Sequence, residues 1–237
     1  MDGRRPLRHR RASGARRRAA TDAAGDGINL QRAHASRATR PGIKAVADTM
    51  RAVVIERFGP PDVLAATTLP TPAPGPGEVL VAVQAAAVNA IDWKTRAGRG
   101  VSLGEFPALL GWDVSGEVVA QGPVANRFAP GEPVFGMLRF PQLAGTYAEF
   151  VTAPEAELAP RPPDLSPVAA AGTMCALTAW ESLFDHGGLR AGQRVLIHGG
   201  AGGVGHVAVE LARSVDAEVI ATAFARQRRL PARPRRR

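Results

Sequence analysis

The sequence predicts a mixed α/β protein: a barrel-like β domain, then the opening of a parallel βαβ nucleotide-binding domain, with a basic tail at each end. Three observations carry this. Val195-Leu-Ile197 is a short apolar run that ends in a glycine cluster, Gly199-Gly200-Ala201-Gly202-Gly203-Val204-Gly205, and leads into an apolar-rich segment without Pro or Gly. Upstream, short β-branched runs alternate with Gly/Pro turns at the spacing of an all-β barrel. Charge divides the chain the same way. Residues 1–49 hold 12 basic and 4 acidic side chains, residues 225–237 hold 7 basic and none acidic, and residues 50–224 hold 11 basic and 17 acidic. The formal net charge of +9 therefore belongs to the tails. It is not the face-clustered charge of a nucleic-acid domain.

Residues 1–49 contain Arg runs and no sustained apolar period, and they read as a disordered extension. They lack the apolar core of a secretory signal, and Asp2, Asp22 and Asp26 argue against a transit peptide. No apolar run in the chain approaches the roughly 18 residues of a membrane span, so a cytoplasmic location is expected. Loose, non-specific nucleic-acid contact is all the tails imply. Arg outnumbers Lys 28 to 2, as in translated GC-rich DNA, and a coherent fold opens at Met50. The extension is therefore expected to lie outside the protein proper. The single cysteine, Cys175, excludes a disulfide framework and a Cys-rich zinc site, and it reads as a small core residue.

The β domain is expected over residues 50–165. Arg51–Glu56 alternates as a strand, Gly59-Pro-Pro61 turns, and Pro70–Gly77 is a rigid connector. Glu78–Ala85 is a strongly β-branched strand, and Asn89–Arg96 a short helical turn before Gly98. Trp112–Val119 and Thr146–Thr152 follow as strands, with Gly131–Gly136 between them. At Ser166-Pro167 the mode switches, since Ser caps a helix and Pro suits its first position. Two helices run to His186-Gly-Gly. Over residues 166–224 the nucleotide-binding domain begins, and Glu218–Ala223 is its second strand. Gly200, Gly202 and Gly205 fit G-x-G-x-x-G. Two of these glycines let backbone N–H groups approach a pyrophosphate at a helix N-terminus, and the third packs helix on strand.

Five stretches in order carry a resemblance: Val88-Asn89-Ala-Ile-Asp-Trp93, Leu110-Gly-Trp-Asp-Val-Ser-Gly116, Gly145-Thr-Tyr-Ala-Glu-Phe150, Ala176-Leu-Thr-Ala-Trp180 and His198–Gly205. Over roughly 170 residues from Met50 the chain resembles the medium-chain dehydrogenase/reductase superfamily, in its zinc-free quinone oxidoreductase branch. The resemblance implies a GroES-like domain, a Rossmann domain, and hydride transfer from NADPH to quinones or conjugated carbonyls in the cleft between them. It assigns Asn89 to the nicotinamide-ribose end of the cofactor and Thr178 to the nicotinamide region, with Ala201, Gly202, Gly203 and Val204 along the pyrophosphate. From the residues alone, a turn role for Asn89 and an ordinary helix role for Thr178 are the plainer readings. Tyr147, the only tyrosine, reads as a strand aromatic on the core; Trp93 and Lys94 fall near the expected pocket without roles, and His198 as scaffold. No catalytic acid is assigned.

Zinc-dependent relatives carry Gly-His-Glu where Gly111-Trp112-Asp113 stands, so no metal site is expected. NADPH is favoured over NADH because Ile220–Arg229 holds no carboxylate and Arg226 is available for a 2′-phosphate. Residues 225–237 read as a disordered basic tail where the family continues its Rossmann domain. The expectation is a chain truncated within that domain, with a homodimer only if the missing half were present. The alternative is an inactive fragment, a binding module at most.

Overall fold

A computed structural model describes residues 46–224. Its mixed α/β fold is the expected one. Strands β1 (Thr49–Ile55) and β2 (Leu64–Pro70) form a hairpin, joined by a 3₁₀ turn at Pro61–Val63, and the short β4 (Ala108–Leu109) pairs on the other side of β1. The larger antiparallel sheet runs β7-β3-β5-β6-β8, from β3 (Glu78–Ala85), β5 (Asp113–Gln121), β6 (Pro133–Met137), β7 (Phe150–Pro154) and β8 (Leu158–Pro160).

The stretch expected as a strand from Thr146 joins the ladder of β3 only at Phe150. Its first residues do a different job. Val53 N–H donates to the Tyr147 carbonyl at 2.8 Å, Ala52 bridges Ala148, and Val83 N–H donates to the Glu149 carbonyl at 2.8 Å. The segment thus stitches the small sheet to the large one, which closes the barrel-like layer without free edges at that seam. Thr49 is already in β1, and Val46 packs against the core of Met50, Leu80 and Phe150.

The main core is built by residues of the larger sheet and the segments that adjoin it. Val79, Val81, Val114, Val118, Val134 and Leu138 are fully buried there. Burying one such side chain is worth about 1.5–3 kcal/mol. Alternation along β1 puts Met50, Ala52 and Val54 inside and Arg51 and Val53 outside, as a half-buried strand requires.

Ser166 caps α2 (Pro167–Ala170), its Oγ accepting from Ala169 N–H at 3.2 Å, as the sequence led us to expect. Helix α3 (Thr173–Trp180) continues into a π-helical turn, Glu181–His186. Then come β9 (Arg194–Ile197), α4 (Gly203–Ser214) and β10 (Glu218–Ala221), with β9 and β10 parallel. Their core is Ala179, Leu183, Ile197, Ala208 and Ala212. Among the described residues no helix is long and apolar enough to cross a membrane.

Candidate functional site

The glycine turn does what its spacing demands. Gly199 has φ +69°, a conformation natural to glycine. Gly200 N–H donates to the Thr222 carbonyl and Gly202 N–H to the Gly199 carbonyl, both at 2.8 Å. A Cβ on Gly205 would stand 2.1 Å from the Gly199 oxygen, so helix and strand meet this closely only through glycine. Helix α4 opens at Gly203, and first-turn N–H groups have no partner within their own helix. Thr222, just after β10, accepts from Gly199 N–H at 3.2 Å through its Oγ1, and His198 Nδ1 lies 3.2 Å from the same oxygen.

Opposite this turn stands Asn89, N-cap of α1 (Ala90–Arg96). Asp92 Oδ2 accepts from Asn89 N–H at 2.7 Å, the return half of a capping box, and Lys94 and Arg96 in the last turn suit the helix dipole. Between the two lies a cleft of about 460 Å³, walled by Val88–Ile91 and Trp93 on one side, Met174, Cys175 and Thr178 of α3 behind, and Gly203 and Val204 on the other. The structure therefore brings Asn89, Thr178, Gly203 and Val204 together. Gly199, Gly200, Ala201, Gly202 and Gly205 build the adjoining turn. Arg226 lies outside the described residues.

Behind Asn89 the structure holds a group that sequence reading undervalued. Asp113, the first residue of β5, is fully buried. Its Oδ2 accepts from Asn89 Nδ2 at 2.8 Å, and its Oδ1 accepts from Met174 N–H at 2.8 Å. Burial pushes its carboxyl up to about 6, against the two hydrogen bonds and with help from the charge of Asp92. Burial likewise raises Asp92, whose Oδ1 has no hydrogen-bond partner. Tyr147 packs on the core with Ile55 and Leu110, its hydroxyl 3.4 Å from the Ala87 carbonyl. Burial and the neighbouring Asp92 and Asp113 charges push that phenol upward.

One expectation changes here. Cys175 is half-buried on the cleft wall, not in the core, because α3 presents it to the start of α4: its Sγ comes within 3.1 Å of where a Cβ on Gly203 would stand. Its thiol donates to Asn89 Oδ1 at 3.5 Å. Thr178 Oγ1 donates to the Met174 carbonyl at 2.7 Å, the ordinary helix threonine bond, although the residue does line the cleft. The signal for Asp113 was in the sequence, a carboxylate opening an apolar strand; the signal for Met174 was not, because only its backbone takes part.

Trp112 is fully buried, its Nε1–H donates to the Gln142 carbonyl at 2.7 Å, and its ring meets Phe140 edge-on at 5.8 Å. Both Asp113 oxygens are engaged, and among the described residues no three His, Cys, Asp or Glu side chains could hold a metal.

Residues 75–163 match the alcohol dehydrogenase GroES-like domain. Over 149 residues the chain is 44% identical to part of NorB, a protein of the spectinabilin polyketide synthase system of Streptomyces orinoci, covering 62% of this chain and 6% of that one. The quinone oxidoreductase of Coxiella burnetii superposes with a TM-score of 0.70 at 39% identity, over 75% of this chain and 57% of that one. A mycobacterial protein solved in complex with NADPH superposes with a TM-score of 0.66 at 35% identity, over 75% and 53%. The class is set by these likenesses together with the site: a GroES-like unit facing a glycine-turn nucleotide unit. The chain belongs to the medium-chain dehydrogenase/reductase superfamily, with quinone oxidoreductases among its structural neighbours. It spans about half the length of those solved structures.

Proposed function

We propose that the chain is an NADPH-dependent oxidoreductase that passes hydride to quinones or conjugated carbonyls without zinc. The observation that carries this reading is the cleft itself, where Asn89 and Thr178 stand opposite Gly203 and Val204 at the start of α4. The α4 first-turn amides and the turn Gly199–Gly205 suit a pyrophosphate, being donors at the positive end of a helix dipole. Asn89 and Thr178 would take the nicotinamide end. A bound nicotinamide dinucleotide supplies two electrons as hydride; the proton that completes reduction of an electrophile comes from solvent.

The protein's own part is orientation and exclusion of water from a half-apolar cleft. Arg226 and the carboxylate-free stretch around it support NADPH over NADH. The location would be cytoplasmic, with a small electrophile as partner. A second reading, a binding module without turnover, is favoured by Leu196 and Ile220, which are 55% and 48% exposed on the β9–β10 sheet.

A fluorescence titration of the purified chain with NADPH and NADH tests the reading. Saturable binding that prefers NADPH is expected, followed by oxidation of NADPH when a quinone is added. Binding without oxidation across a quinone and enone panel would favour the second reading. No binding by a folded sample overturns the first.

A further inference from the structure

We infer that Asp113 is a positioning residue for the cleft: its carboxylate staples the α1 N-cap to the first turn of α3 and fixes which face of the Asn89 amide the cleft receives. The inference rests on the proposed nicotinamide site and deepens it. Each oxygen of Asp113 is used by a different wall, Oδ2 by Asn89 Nδ2 and Oδ1 by Met174 N–H, both at 2.8 Å. Asn89 and Met174 both line the cleft. Because Asp113 has no proton to give when ionised, it can face only the Nδ2 side of Asn89. The Oδ1 side is thereby turned to Cys175 and the cleft, as an acceptor at the place where a ribose hydroxyl or a carboxamide N–H would arrive.

Full burial makes this arrangement rigid. The groups facing Asp113 are Asn89, Met174 N–H, Asp92, Tyr147 and Cys175, and no cation is among them. A buried carboxylate without a cation is held by its hydrogen bonds, so replacing the oxygen that faces Asn89 by a donor reverses the side that Asn89 presents to it.

The test is a reciprocal swap in the full chain. In Asp113→Asn an amide must face an amide, so Asn89 turns over and presents N–H groups to the cleft. In the double variant Asp113→Asn/Asn89→Asp every donor–acceptor pair is restored, and an oxygen again faces the cleft. Two readouts are taken: the Kd for NADPH, and the alkylation rate of Cys175 by iodoacetamide, which is specific because this is the only cysteine.

The single variant is expected to weaken NADPH binding at least tenfold and to speed alkylation, as the Asn89 acceptor leaves the thiol. The swap is expected to return the alkylation rate to within about threefold of wild type and to bind NADPH more tightly than the single variant. A single variant that behaves as wild type, or a folded swap that remains as weak as the single, overturns the inference. If wild type itself does not bind NADPH, the proposed function fails, and the alkylation arm still decides the staple. If Asp113→Asn does not fold, the swap decides alone, and a swap that also fails to fold overturns the inference.

Discussion

The β unit and the nucleotide unit are held together in different ways. In the β unit, antiparallel strands close on one another, and Val79, Val81, Val114, Val118, Val134 and Leu138 lose all solvent contact. In the nucleotide unit, two parallel strands meet α4 on one face, while Leu196 and Ile220 stay largely exposed on the described strands. Parallel sheets are normally covered on both faces. The lesson is that the site draws one wall from a tightly packed frame and the other from a thinly packed one. The Asp113–Met174 hydrogen bond is one tie across that seam.

Glycines separate the two units most sharply. A Cβ on Gly116 would stand 2.1 Å from the Ala82 oxygen in the β unit, and one on Gly205 equally close to the Gly199 oxygen in the nucleotide unit. Gly116→Ala is expected to cost roughly 4 kcal/mol and lower the melting temperature of the whole protein. Gly205→Ala is expected to abolish nucleotide binding while the β unit keeps its protected amides in hydrogen exchange. Equal protection loss in both units would refute the distinction.

Core truncation separates the two units next. Leu138→Ala removes a fully buried side chain and is expected to cost about 2–5 kcal/mol by chemical denaturation. Leu196→Ala, at an exposed position, is expected to stay within about 0.5 kcal/mol.

The seam titrates. Asp113 has its folded pKa raised from 3.8 to about 6. Between those values the native state keeps the proton while the unfolded chain releases it. This contribution is therefore fully present below about pH 4, is lost as pH rises to about 6, and stays flat above. Denaturant midpoints from pH 4 to 7 should show that fall in wild type relative to Asp113→Asn; parallel curves would mean the group is not perturbed.

Ion pairs give the smallest contrast. Arg139, in the β unit, bonds Glu78 Oε1 at 2.7 Å and also the carbonyl and hydroxyl of Thr152, half-buried. Arg139→Ala is expected to cost about 1.5–3 kcal/mol. Arg194 pairs with Glu218 at 2.9 Å with both side chains at least 60% exposed, so Arg194→Ala should cost about 0.5 kcal/mol or less, and less again in high salt.

Local chemistry made much of this legible in the sequence. Ser166-Pro167, Asn89 before α1, and the strand–glycine–helix passage at residues 195–214 are each specified by neighbours a few residues apart, where caps, φ preferences and periodicity act. The short strands β4 and β8 left little signal, because a two- or three-residue strand exists only by its pairing. Tertiary structure alone decided that Thr146–Glu149 stitches two sheets, that Cys175 faces the cleft, and that Asp113 joins Asn89 to Met174. Those contacts link residues 24 to 98 positions apart, and one partner is a backbone N–H that every sequence carries. The sequence by itself determined which elements form and where the glycines must be; only folding determined which carboxylate they bury.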